Sequence, residues 1–225
     1  MNNNPNRVAK LTSSHASLFM LDGNGASGFG AGAITYINKK KRELRWGRGL
    51  DLPVNKWEVS WGKLWEVWVH YNLKPNNEYE LVIDKTTVHP KYNFWSGSQD
   101  FNIKIDGGGI AELKCYQMIN HEDYSNCLLK QDVELFKKEF KDEYWQIVSN
   151  CCINNAKYGE AIAFMPTLEN LLEMRKMVEE SNYVEKNMGD DPFKYKFIVD
   201  RNVMDLPFVM DGSDIPSLTK FRFEV

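Results

Sequence analysis

No stretch of about 18 uninterrupted apolar residues occurs in this chain, so nothing in it reads as a membrane span. The first ten residues, MNNNPNRVAK, lack the apolar core of a secretion signal. Cysteine is scarce. Cys115, Cys127, Cys151 and Cys152 form no CxxC pair, and the adjacent last two are poorly spaced to share a zinc ion. Reduced thiols in a cytoplasmic protein are the expectation. An excess of positive charge is also missing: 28 Lys and Arg stand against 31 Asp and Glu, a net charge of −3. That excludes a uniformly basic surface, so any contact with a polyanion must be local. There is no internal repeat and no long linker. At 225 residues the chain is long enough for one sizeable core and short for two, and it reads as a single domain over 1–225.

What is present is a globular composition, 43% hydrophobic and 13% aromatic. Residues 12–21 read as a capped helix start, 22–32 as a Gly-rich loop and 33–49 as a helix. That last helix carries Lys39, Lys40, Lys41, Arg42, Arg45 and Arg48, six cations within ten residues. Taken alone, the run is a solvated helix end more readily than a binding site. Residues 56–73 place Trp57, Trp61, Leu64, Trp65 and Trp68 at helical spacing, which predicts a buried helix whose tryptophans pack the core. Strands are expected at 78–84, 99–105 and 110–116, a long amphipathic helix at 132–156 and a strand at 159–165. A charged helix at 167–187 and a late strand at 194–200 follow. Together these predict an α/β (α+β) fold, a central mixed β-sheet flanked by helices.

Two patterns are decoys. Gly23, Gly25 and Gly28 spell GxGxxG, but the following FGAGA is a poor helix start for a dinucleotide site. His15, His70, His89 and His121 lack zinc-ligand spacing, and no cysteine set frames an iron–sulphur cluster.

The chemistry concentrates in GSQDFNIKIDGGGIAELKC, residues 97–115. IDGGG at 105–109 is a hairpin-turn signal between two strands. Side chains alternate along a strand, so Glu112 and Lys114 share one face and Leu113 takes the other. A charged pair among Ile110, Ala111, Leu113 and Cys115 is costly unless it is paired or binds something. Asp100, on the preceding arm, can be brought beside Glu112 by the turn. Two converging carboxylates suit a hard divalent cation, and an ammonium beside them can orient a nucleophile. The plain alternative is a buried ion pair between Lys114 and one carboxylate.

These residues make up the third of four ordered segments: RVAKLTSSHA at 7–16, WGKLWE at 61–66, SQDF…GGGIAELKC at 98–115 and YWQIVSN at 144–150. Their order and content resemble the PD-(D/E)xK nuclease superfamily, and within it phage lambda exonuclease and the YqaJ-type viral recombination exonucleases. The similarity covers roughly residues 7–166. It implies a restriction-endonuclease-like core. Asp100 and Glu112 would ligate Mg2+ (Mn2+ substituting), with the Leu113 carbonyl a third ligand. Lys114 would position the attacking water, Glu66 would help bind a second metal or its waters, and Gln146 would orient Lys114 or the nucleophile. Arg7 and Ser14 would hold a DNA 5′-phosphate, with Lys39, Lys40, Lys41 and Arg42 further DNA contacts. Only His15, among the histidines, lies in a matched segment. The sequence departs from the pattern at Gln99 (for Pro), Phe101 (for Gly), Tyr116 (for Pro) and Val148 (for Gln). Phe101, in place of a Gly beside the metal, would narrow access or stack on a base.

The resemblance implies a metal-dependent exodeoxyribonuclease resecting double-stranded DNA ends 5′ to 3′ in phage-type recombination or replication. It further implies hand-over to a single-strand annealing protein, a ring-shaped homotrimer and action in the bacterial host cytoplasm. The alternatives are an endonuclease of the same superfamily and a degenerate member that only binds DNA.

Overall fold

The fold is that of a computed structural model describing residues 4–23, 27–50, 57–73, 78–82, 85–180 and 208–225. Strand β1 (Leu11–Thr12) leads into a 3-10 helix, Ser13–Met20. The sequence predicts an α-helix here. The tighter helix starts at Thr12 without a side-chain cap, which leaves its first amides to other partners. Helix α1 (Ala31–Trp46) ends at Gly47, whose φ of 64° turns the chain out of the helix. Helix α2 (Trp57–Leu73) follows, then β2 (Tyr79–Leu81), β3 (Thr87–Val88), β4 (Trp95–Gly97), β5 (Phe101–Ile103) and β6 (Gly109–Lys114). Next come α3 (Met118–Leu129), α4 (Val133–Glu139), α5 (Lys141–Asn154), β7 (Tyr158–Phe164), α6 (Leu168–Glu180) and β8 (Leu218–Glu224).

The single helix expected over 132–156 is two. Asp132 caps the first by accepting from the Leu135 amide at 3.0 Å, and Phe140, at φ −123°, breaks the chain between them. The strand expected at 194–200 and the last residues of the helix expected over 167–187 lie outside the described residues. The C-terminal strand in the sheet is β8.

Among the described residues the strands form two sheets: one ordered β2-β5-β6-β7-β8, the other β1-β4-β3. In the larger, β6 runs antiparallel to β5 and parallel to β7. The sheet is mixed and flanked by helices, as the sequence predicts. Alternation sorts its side chains. Phe101, Ala111, Leu113, Ile162 and Phe164 pack with Trp61, Leu64, Trp65 and Trp68 of α2, so those four α2 residues are core, as expected. Ile110, Ala161, Ala163, Phe221 and Phe223 pack under α3, α4 and α5 with Tyr124, Phe136 and Ile147. Each such large side chain, fully buried, contributes about 1.5–3 kcal/mol.

Helix α5 lies between the two sheets. Its Ser149 hydroxyl donates to Ser13 Oγ at 2.9 Å and accepts from Trp95 Nε1 at 2.8 Å. A methyl group at Gly97 would stand 2.0 Å from Asn150 Oδ1 and 2.3 Å from Ser13 Oγ, so only glycine permits this approach. Gly159 does the same on β7, where a methyl would meet Ile147 of α5 at 2.1 Å. Among the described residues no helix is long and apolar enough to cross a membrane.

Candidate active site

The turn at 105–109 closes through the Gly108 amide on the Ile105 carbonyl (3.0 Å) and sets the register Phe101 with Ala111. One residue beyond that last pair, Asp100 stands across from Glu112, its amide donating to Ala111 O at 3.2 Å. Phe101 points into the α2 core, so Asp100 points the other way, onto the face that Glu112 and Lys114 share. The three groups therefore lie on one face of the sheet, under α5.

Asp100 Oδ2 accepts from the Leu113 amide at 2.7 Å. In an extended strand a residue's N–H and C=O face the same neighbour, so the Leu113 carbonyl is directed to the Asp100 side. Glu112 is 1% exposed. Its Oε1 accepts from Asn150 Nδ2 and its Oε2 from Gln146 Nε2 at 2.6 Å. Gln146 Oε1 in turn accepts from Lys114 Nζ at 3.1 Å, and Nζ lies 3.9 Å from Glu112 Oε2. Gln146 thus bridges acid and ammonium. Asn150, one turn further along α5, also donates to the Ser98 carbonyl at 3.1 Å. It is a site residue that motif reasoning missed; its i, i+4 spacing from Gln146 was the available signal.

The electrostatics are those of an anionic site short of positive charge. Burial raises the Asp100 carboxyl, against the pull of Lys114 and the Leu113 amide. Burial also pushes Glu112 well above the usual carboxylate range; the Asp100 charge adds to this, and Lys114 and Asn150 oppose it. For Lys114, burial alone favours the neutral amine, but Glu112, Asp100, Glu143 and Glu66 together outweigh it and raise the ammonium. Glu66, half-buried on α2, acts on both Glu112 and Lys114, which puts it within electrostatic reach of the site.

The remaining candidates are placed further out. Ser14 sits exposed on the 3-10 helix, its Oγ 3.2 Å from both Thr12 Oγ1 and His15 Nδ1. The His15 ring stacks on Tyr36 at 4.2 Å. Arg7 is half-buried in the turn before β1, with its amide bonded to Asn4 O at 2.9 Å. No contact joins either residue to the carboxylates among the described residues. Lys41 and Arg42 are exposed on α1 and Lys39 is half-buried. Lys40 differs from its neighbours. It is 7% exposed and pairs at 3.0 Å with Glu43, whose carboxylate also holds the Ala9 and Leu50 amides. That removes Lys40 from the outward basic face, because helical geometry turns positions 33, 36, 40 and 43 inward together.

The substitutions at the family's Pro and Gly positions also have structural roles. Phe101 is wholly buried and faces the α2 core with His70 and Tyr79, so it neither narrows the site nor meets a base. Alternation puts residue 101 on the opposite face from Asp100. Tyr116 donates to Glu143, and Gln99 bonds Asn102 at 2.7 Å.

The residues fit a hard cation. A half-buried and a buried carboxylate face one ammonium, and burial holds both acids toward the protonated form against the pull of Lys114. Among the described residues no group of three or more His, Cys, Asp or Glu converges. Two carboxylates and a carbonyl, completed by water and phosphate, match the way magnesium is usually held.

No family model and no curated protein sequence matches the chain. Solved structures do. An alkaline exonuclease, LHK-Exo from Laribacter hongkongensis, aligns with a TM-score of 0.53 at 15% identity over 72% of each chain. Its complex with dAMP aligns at 0.51 and 14% identity over 70% of each. A phage related exonuclease from Haemophilus somnus 129PT aligns at 0.55 and 12% identity, covering 96% of this chain and 84% of that one. At such identities the agreement is one of fold. The chain has the restriction-endonuclease-like fold of these exonucleases, in accord with the resemblance carried by the four sequence segments.

Proposed function

We propose that this protein is a metal-dependent deoxyribonuclease, an exonuclease that resects double-stranded DNA from its ends in the 5′-to-3′ direction. The observation that carries the reading is the meeting of Asp100, Glu112 and Lys114 on one sheet face, with Gln146 joining the last two. Asp100, Glu112 and the Leu113 carbonyl would hold Mg2+, or Mn2+ in its place, with Glu66 contributing at a second ion or its waters. When bound, the ion supplies Lewis acidity and a water of lowered pKa.

The chain's own groups do the rest. Lys114 Nζ, fixed by Gln146 Oε1, directs its remaining protons at the attacking water and at the charge growing on the phosphate. Gln146 and Asn150 hold Glu112 in one rotamer from above. Arg7 and Ser14 would grip a terminal 5′-phosphate, and Lys41 and Arg42 the backbone beyond it. By resemblance the protein would act in the host cytoplasm as a ring-shaped trimer and pass its 3′ strand to an annealing protein.

An end-labelled linear duplex, with and without a 5′-phosphate, tests this in the presence of magnesium. Stepwise release of 5′ nucleotides, lost in Lys114→Ala, is expected, as is no cutting of closed circles. Equal cutting of circles would replace the proposal with an endonuclease. DNA binding without any magnesium-dependent product would leave a binding protein.

A further inference from the structure

Trp46, the last residue of α1, is 56% exposed and is the one exposed tryptophan among the described residues. Trp61, Trp65 and Trp68 are by contrast buried. A single exposed apolar side chain is ordinary on a protein surface; what distinguishes this one is its surroundings. They are cationic. Arg42 lies one turn before it on the same helix face, and Lys41, Arg45 and Arg48 are exposed beside it. Gly47, in its left-handed conformation, reverses the chain and brings the Arg48 guanidinium over the indole at 6.0 Å. Among the described residues none of Lys41, Arg42, Arg45 or Arg48 forms an ion pair. On a chain of net charge −3 this is a local positive patch built around an aromatic face.

We infer that the C-terminal end of α1 is a platform for single-stranded DNA, on which an unpaired base stacks against Trp46 while Arg42, Arg45 and Arg48 take the flanking phosphates. The inference deepens the nuclease reading and rests on it for the identity of the ligand. Base stacking on an aromatic within a cationic track is the usual way to hold a single strand without reading its sequence. A duplex interior hides the faces of its bases, so an indole here favours the strand freed by resection. Tyr36, ten residues earlier, is where α1 meets the 3-10 helix carrying Ser14: its hydroxyl lies 3.0 Å from Thr12 Oγ1. At about 1.5 Å per residue the platform stands roughly 15 Å along α1 from that junction, a span of a few nucleotides.

The test is fluorescence anisotropy with a labelled oligothymidylate and a blunt duplex of equal length, in chelator so that neither is cut. Trp46→Ala is expected to weaken single-strand binding about tenfold and duplex binding less than about twofold, and Trp46→Phe to retain most of the affinity. Arg45→Gln should weaken both ligands alike and lower the salt slope by about one. Single-strand affinity unchanged in Trp46→Ala, or lost equally for both ligands, overturns the platform. Unaltered thermal melting of Trp46→Ala shows that the variant is folded. Magnesium-dependent hydrolysis by the unaltered protein is read separately. Its absence alongside Trp46-dependent binding sinks the nuclease and leaves the platform; its presence alongside Trp46-independent binding does the reverse.

Discussion

Each oxygen of the Glu112 carboxylate accepts from a different amide of α5, and one of those amides, Gln146, also receives the Lys114 ammonium. Replacing Gln146 by Ala therefore removes a partner from acid and base at once, without touching either. A kcat lowered about 10–100-fold is expected, with KM for DNA little changed, since such supporting groups orient those that react. Lys114→Ala removes the donor itself and should cost about 100–1000-fold. If Gln146→Ala left kcat intact, the bridge would be merely structural. The same charges set a pH dependence. Asp100 and Glu112 both have raised carboxyl pKa values. Their contribution to the stability of the metal-free chain is thus full below the ordinary carboxylate range and is lost as pH rises through the raised values. On the proposed function magnesium would bind the ionised pair, so its stabilisation would move the opposite way and grow over that window. Thermal melting from acid to mildly alkaline pH should show a magnesium-induced rise in Tm that widens with pH and vanishes in Asp100→Asn/Glu112→Gln. A shift independent of pH would place the ion elsewhere.

At the scale of elements, the site depends on how closely α5 approaches both sheets. Gly97→Ala forces a methyl to within 2.0 Å of Asn150 Oδ1 and 2.3 Å of Ser13 Oγ, so the Asn150 and Ser13 side chains, or the elements that carry them, must shift. Overpacking of this kind costs about 1–3 kcal/mol. Because Asn150 holds Glu112, activity should fall by more than the loss in Tm explains, as thermal melting and end-labelled digestion on one sample would show. The elements also divide by how well the sequence announces them. The hairpin of β5 and β6 was legible because alternation and IDGGG agree, and the tryptophan helix because its spacing is regular over 17 residues. The sheet β1-β4-β3 was not, because strands of two or three residues carry no period. The break at Phe140 is marked by neither Gly nor Pro. Inward Thr219, Phe221 and Phe223 alternate along β8, a period-2 signal that the sequence carries there as well. At the site, Asp100, Glu112 and Lys114 followed from period and turn. The role of Asn150 did not, since it depends on which face of α5 meets β6.

For the molecule as a whole, the proposed function requires an acidic chain to grip a polyanion. Only part of the basic run is available: Lys40 is committed to Glu43, which in turn ties the segment around Ala9 and Leu50 to α1. Lys40→Ala leaves a buried carboxylate unpaired, a loss of about 3–5 kcal/mol, and should lower Tm sharply. Lys41→Ala should leave Tm unchanged and weaken DNA. The exposed cations here are Lys41, Arg42 and Arg45 on α1 and Arg48 just past its end, with the half-buried Arg7 before β1. Four or five phosphates neutralised predict a plot of log affinity against log salt with a slope of roughly −3 to −3.5 for single strands. Negative charge elsewhere on the surface adds repulsion but releases no counterions, so it weakens binding without steepening that line. A slope near twice this size would show that DNA is held by a larger cationic surface than one copy of this chain presents, as a ring of three copies would offer.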